Sequence, residues 1–396
     1  MSDVTKDPIV IVSAARTPMG GFQGALSGFK APQLGATAIE AACEKAGLSH
    51  TAVDEVLMGC VLSAGVGQAP ARQAALGAKL DESTPCTTVS KVCGSGMKAV
   101  MQAHDALALG NGAVIVAGGM ESMSNAPYLL PKARGGMRLG HAEVKDHMFL
   151  DGLENAYDGY LMGHFAEETA KHYQFSREMQ DAYSIESLKR ARAANHDGSF
   201  SHEIVPVEVK SKKGAVEVTG DEQPDKADPA KIPTLKPAFA AGGSVTAANS
   251  SSISDGAAAL VMMKMSEAER RGLKPLAVIR GHASHARAPE WFTTAPVGAI
   301  ETLMEKTGWK TGDVDLWEIN EAFAVVAMAA MRELDIRHDN MNVYGGACAL
   351  GHPIGASGAR IIVTLLNAMK QKDATKGVAS LCIGGGEATA VAVERL

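Results

Sequence analysis

The chain has 396 residues, 46% of them hydrophobic and 21% charged. This is a globular composition too long for one ordinary core, so two or three domains or an internal duplication are expected. A formal net charge of −6 with no basic stripe argues against nucleic acid as the main partner, and no apolar stretch is long enough to span a membrane.

In chain order, 10–14 reads as a buried strand, 34–46 as a helix, 53–59 as a second strand, 69–77 as a helix and 113–118 as another buried strand. Continuous apolar strands alternating with helices imply a largely parallel sheet covered on both faces. Between 97 and 109 the residues are good helix formers, with apolar positions at 97, 100, 101, 107 and 108, and Gly110 ends the run. From about 120 to 250 the composition shifts. Helices are expected at 163–174 and 177–195, and a Pro/Lys/Asp-rich stretch runs from Lys210 to Pro237. This is an inserted loop domain that ends at Phe239, after which 244–263 returns to the first core. The second half repeats the plan: strand 275–281, helix 298–308, strand 316–319, helix 322–334, then a loop at His352 leading through a helix into strand 378–383. Aligning Gly96 with Gly358 sets Gly-Met-Lys-Ala-Val beside Gly-Ala-Arg-Ile-Ile, each followed by helix, strand and a glycine pair (Gly118-Gly119, Gly384-Gly385). An internal duplication is one reading, a chance likeness of two glycine-bracketed helices the other.

Three loops carry chemistry. Val92-Cys93-Gly94-Ser95-Gly96-Met97 places a thiol at a helix start, where unpaired N–H groups and the helix dipole are expected to lower a thiol pKa from about 8.5. The bland reading is a small packed hydrophobe. Gly351-His352-Pro353 holds a histidine above the next helix, a good general base. Strand 378–383 ends in Cys382 against Gly384-Gly385-Gly386, whose N–H groups are available to a ligand.

Together these loops resemble the thiolase family from Ile9 to the C-terminus. The shared motifs include Ala15-Arg16-Thr17-Pro18, Gly118-Gly119-Met120-Glu121-Ser122-Met123-Ser124, Asn249-Ser250-Ser251 with Asp255-Gly256-Ala257-Ala258, and Asn320-Glu321-Ala322-Phe323-Ala324. The resemblance implies an α/β fold of two duplicated βαβαβαββ halves in five layers. Residues 1–120 with 250–272 would form the first half, 121–249 a loop domain over the coenzyme A site, and 273–396 the second half. It implies Cys93 as nucleophile and acyl carrier, His352 as its base, and Cys382 as the acid/base on the α-carbon of a second acyl-CoA. Asn320 would fix a water that, with His352, donates to the enolate oxygen; a helix N-cap is its bland reading. The N–H groups of Cys93 and Gly384 would form a second oxyanion hole. Ser251 would meet the pantetheine, with Ala247, Phe239, Leu153, Met162 and Phe323 as walls.

The implied activity is reversible condensation of two acetyl-CoA, with coenzyme A thioesters as substrates, no cofactor or metal, and a homotetramer as the assembly. A broader-range 3-oxoacyl-CoA thiolase is the alternative. Departures from the family bear on this choice. Leu161 stands before Met162-Gly163 where acetoacetyl-specific members usually carry His, Gln223-Pro224-Asp225-Lys226 where many carry an adenine-stacking Arg, and Glu387 where a small or apolar residue is usual. Trp291-Phe292 would add a bulky rim at the acyl site. His282-x-x-His285 has metal-like spacing but reads as a loop without a third ligand. Lys210, Lys212 and Lys213 read as a solvated turn, Lys132, Arg134 and Arg138 as either interface or phosphate contacts, and Cys43, Cys60, Cys86 and Cys348 as packing residues. The six cysteines form no C-x-x-C pair, the start Met1-Ser2-Asp3-Val4-Thr5-Lys6-Asp7 has no apolar signal core and is not an Arg-rich transit peptide, and Glu394-Arg395-Leu396 is not Ser-Lys-Leu. A reduced cytoplasm is therefore the expected setting.

Overall fold

A computed structural model describes residues 7–211 and 214–396; the first six residues, with Lys212 and Lys213, lie outside this range. Strands β1 (Ile9–Arg16), β2 (Glu55–Gly59), β3 (Cys86–Val89), β4 (Val114–Ser122) and β5 (Ser254–Lys264) form the first half-sheet, and β6 (Ala277–Ala286), β7 (Leu316–Ile319), β8 (Lys376–Ile383) and β9 (Glu387–Glu394) the second. The order is β7-β8-β9-β6-β1-β5-β4-β2-β3. Within the second half a bridge from Trp317 to Met341 supplies the counterpart of β3. Each half then has the spatial order third-second-fourth-fifth-first, with two parallel pairings followed by two antiparallel ones. The sheet is thus mixed, not largely parallel. Apolar runs alone do not distinguish the two, because strands buried on both faces read as continuous apolar segments in either direction.

The pleat shows how the layers arise. In β1, Ile9 and Ile11 join one core while Val10, Val12 and Ala15 join another; in β5, Leu260 and Met262 alternate with Ala259 and Val261 in the same way. In β8 and β9, Leu381 and Val391 face the first of these cores, and Val378 and Ala390 a third. Three cores need five layers. The outer ones are α1 (Ala31–Lys45) with α2 (Pro70–Gly77), and α6 (Ala295–Thr307) with α7 (Ala324–Leu334). The middle layer is α3 (Ser95–Ala108) and α8 (Ile354–Gln371), and from Ile354 to Met369 every residue of α8 is buried, as expected of a helix flanked by protein on all sides. Gly96 and Gly358, paired by the sequence alignment, face each other here: a Cβ on Gly96 would press on Ala359, and one on Gly358 on Met97. The two central helices cross at these matched glycines, which favours duplication over chance. The aligned glycine pairs are not equivalent, however, since Gly118-Gly119 lies inside β4 and Gly384-Gly385 in the turn after β8.

The insertion between β4 and β5 carries α4 (Met162–Tyr173), α5 (Arg177–His196) and two small hairpins, one pairing Val207–Ser211 with Gly214–Val218. Lys210 therefore sits on a strand rather than a turn. Arg16, fully buried, anchors the insertion to β1 through Glu203 (2.5 Å) and Asp221 (2.7 and 2.9 Å). Removing one partner of such a pair would leave an uncompensated buried charge, at about 3–5 kcal/mol.

Candidate active site

The turn before α3 is held by the Ser95 hydroxyl, which donates to Val92 O (2.7 Å) and accepts from Lys91 N–H (2.8 Å). It puts Val92 at φ +44, in the left-handed region that a β-branched residue avoids; such strain is worth roughly 1–3 kcal/mol and gathers at functional sites. Gly94 follows because a Cβ there would overlap Ile383. Lys91 pairs with Glu387, so the unusual glutamate clips the Cys93 turn to the loop carrying Gly384.

Cys93 Sγ accepts from the N–H groups of Gly384 and of Cys93 itself, yet burial dominates and pushes the thiol up to about 11. The expected lowering is overturned: the helix-start N–H groups act, but desolvation of the thiolate outweighs them. His352 is also shifted toward its neutral form, down to about 3, first by burial and then by the Arg360 charge. Its Nδ1 lies 2.5 Å from Ser357 Oγ, whose proton goes to Pro353 O at 3.0 Å. Because the hydroxyl's one proton is committed, it accepts from Nδ1–H, which leaves Nε2 with a free lone pair. Nε2 is buried and has no partner among the described residues, as have both side-chain polar atoms of Asn320. Since buried polar atoms are nearly always paired, each of these three atoms has a hydrogen bond left to make with a polar guest.

Cys382, the last residue but one of β8, is fully buried, and its thiol is raised well above the usual range by burial and by the proximity of Cys93. Asn320 follows β7, its N–H bonded to Ser380 O at 3.0 Å. It is not the cap of α7, a position taken by Phe323. Glu321 next to it is fully buried and accepts from Tyr183 and Ser187 of α5 (2.8 Å each), Asn342 (2.8 Å) and Cys348 N–H (3.1 Å), tying the insertion to the second half. Glu121 accepts from Val61 and Leu62 N–H and, at 2.9 Å, from Gly355 N–H at the start of α8.

Above these groups opens a cavity of about 400 Å³. Cys93, His352 and Gly384 line it, as do Leu153, Met162, Phe239, Ala247, Ser251 and Phe323, so every expected wall residue is brought together there. Cys382 and Asn320 are not among its lining residues. Phe292 also lines it and stands edge-on to Phe323, centroids 6.4 Å apart. Trp291 does not: it packs away on His172 and Arg287, so the expected two-aromatic rim reduces to one. A second cavity of about 290 Å³ shares Ala247 and Ser252 with the first and is lined by Gln223, Asp228, Lys231 and Cys348. Ser357 and the strained Val92 were not singled out in the sequence; only the Gly-His-Pro spacing to Ser357, one helical turn on, carried a signal.

The chain matches the family models described as thiolase, N-terminal domain, over residues 9–266, and thiolase, C-terminal domain, over 273–395. The chain belongs to the thiolase family. Among thiolase relatives, it is 51% identical over 391 residues to "Acetyl-CoA acetyltransferase 2" of Arabidopsis thaliana, covering 98% of this chain and 97% of that protein. It is 49% identical over 391 residues to "Acetyl-CoA acetyltransferase" of Cupriavidus necator, covering 98% and 99%. Its fold matches the crystal structure of Acat5 thiolase from Ascaris suum in complex with coenzyme A, with a TM-score of 0.93 and 41% identity over 98% of this chain and 100% of that one. The two-half, five-layered arrangement is thus a thiolase fold.

Proposed function

We propose that this thiolase is an acetyl-CoA C-acetyltransferase, which condenses two acetyl-CoA to acetoacetyl-CoA and CoA and runs in reverse. The observation that carries the reading is a cavity lined by the Cys93 thiol, His352 with its free Nε2 and Gly384, with a second thiol, Cys382, buried near Cys93. Relatives bearing that activity's name at about half identity over full length support it.

In the first half-reaction Cys93 sulfur attacks the thioester carbonyl while its proton passes to His352 Nε2. The departing CoA sulfur takes that proton, leaving acetyl-Cys93. With thiol and imidazole both neutral at rest, proton transfer accompanies attack rather than preceding it. Cys382 then passes its thiol proton to His352 Nε2 and, as the thiolate, takes the α-proton of the second acetyl-CoA, whose enolate oxygen meets the new His352 Nε2–H and a water held by Asn320. The α-carbon attacks the acetyl carbonyl, the N–H groups of Cys93 and Gly384 receive its oxygen, and collapse frees acetoacetyl-CoA and Cys93 sulfur, which takes its proton back from His352 Nε2. No cofactor enters this sequence. The test is mass spectrometry after incubation with acetyl-CoA. Acetyl on Cys93 is expected, retained in Cys382→Ala, which should lose carbon–carbon bond formation and α-proton exchange; acetylation only elsewhere, or equal loss of both half-reactions, refutes the assignment.

A broader 3-oxoacyl-CoA thiolase is the second reading, favoured by Leu161 in the place of a polar residue. Phe292 weighs against it, because a methylene with no room costs on the order of 1–3 kcal/mol. A homotetramer in the cytoplasm completes the proposal. Exposed Tyr128, Leu130 and Leu139 in the insertion support self-association, and no helix among the described residues is long and apolar enough to cross a membrane. Light scattering of the purified protein tests the assembly.

A further inference from the structure

His282 and His285 lie on β6 rather than in a loop, and the fold separates them. His285 packs where a Cβ on Gly298 of α6 would strike its ring. His282 faces α3 of the other half: its Nε2 is 2.8 Å from Asp105 Oδ1, which is 3.2 Å from His104 Nδ1, with the two imidazoles edge-on at 5.0 Å. The helix gives His282 two other potential ligands in place of His285, and the three ligand atoms lie within 4.8 Å of one another. We infer that His104, Asp105 and His282 form a binding site for a zinc-class divalent cation that staples the two duplicated halves together.

The donor set decides the class of ion. Two imidazole nitrogens and one carboxylate suit zinc and its neighbours, whereas magnesium and calcium take oxygen cages. Tetrahedral bonds of about 2.0–2.1 Å place donors roughly 3.3 Å apart, so the 2.8 Å Asp105–His282 separation need open by about half an ångström and the 3.2 Å Asp105–His104 one hardly at all. The side chains stand on a regular helix and strand, and both histidines are mostly buried, at 15% and 17% side-chain exposure, while Asp105 at 54% leaves the fourth position open to water. Lys306, which donates to His282 O at 3.0 Å, sets a positive charge nearby that the Asp105 carboxylate offsets. His104 is nine residues beyond Ser95, so the site lies about 14 Å along α3 from its catalytic end. Its role is structural, separate from the thiol chemistry.

The experiment uses the full chain in its native assembly, stripped with a chelator and titrated with zinc chloride alone. The expected result is one zinc per chain that is lost or weakened more than 100-fold in His282→Gln and in His104→Gln, beyond the about 10–100-fold of a merely orienting partner. A rise in Tm with zinc should be absent in both variants, and an anomalous-scattering peak should lie between the three side chains. Cobalt(II) should give tetrahedral bands without thiolate charge transfer. Unchanged stoichiometry and affinity in the variants, or a peak only at Cys93 or Cys382, would overturn the inference.

Discussion

Ser357→Ala tests whether the base is made by its own helix. The substitution removes the only acceptor shown for His352 Nδ1–H, in a site where Ser357 is fully buried. Leaving a buried donor unpaired costs about 1–3 kcal/mol, and at 1.36 kcal/mol per decade this spans roughly 5- to 150-fold in rate. The loss should fall on the transition state. Once Nε2 has taken the Cys93 proton the ring is cationic, and a hydrogen bond from a cation is worth about twice a neutral one. Without the hydroxyl the proton can also move to Nε2, turning the face toward the cavity from acceptor into donor. Thiolysis of acetoacetyl-CoA should therefore show kcat lowered about 10- to 100-fold with KM changed less than about threefold, and the rate of Cys93 acetylation should fall in parallel. Ser357→Thr keeps the hydroxyl and should restore most of kcat despite crowding. Wild-type kcat in Ser357→Ala would refute the tautomer argument, and a loss confined to KM would move the residue from base positioning to binding.

Alkylation of Cys93 by iodoacetamide should rise about tenfold per pH unit from pH 6 to 9, because a thiol held near 11 is mostly protonated throughout; a plateau near neutrality would mean a resting thiolate. Gly163→Ala should drive a methyl into the Phe239 ring and raise KM for acyl-CoA at least tenfold while sparing Cys93 alkylation, and an unchanged KM would show that this wall does not shape the binding cavity. Glu321→Gln turns one of two acceptors facing four donors into a donor and should lower stability by about 2–4 kcal/mol, read by denaturant titration; a loss below 1 kcal/mol would remove it as a tie between insertion and second half. For chain length, kcat/KM for the eight-carbon 3-oxoacyl-CoA should lie at least tenfold below the four-carbon substrate in the wild type and recover in Phe292→Ala.

The residues that carried the family likeness divide into two physical kinds, and only one was readable for its role. Cys93, His352 and Cys382 announce themselves because nucleophile, base and glycine loop are local patterns. Arg16, Glu121 and Glu321 belong to equally plain motifs, yet their partners lie 187, 234 and 138 positions away, at Glu203, Gly355 and Tyr183. No spacing rule reveals such partners before the chain is folded. The pKa of Cys93 failed for the same reason: the helix start was local and visible, while the burial that outweighs it is assembled from the insertion, α8 and the turn after β8. Sheet direction was hidden because β1, β4, β5, β8 and β9 are buried on both faces along nearly their whole length, so the alternation that marks an antiparallel sheet half open to water does not develop in them. Trp291 and Phe292 show the limit most sharply. Adjacent in sequence and alike in bulk, they part at a short 3₁₀ turn that aims one ring into the cavity and the other at His172. On the proposed reading a single backbone turn thus decides which ring a lengthening acyl chain would meet, Phe292 rather than Trp291, because only Phe292 lines the cavity.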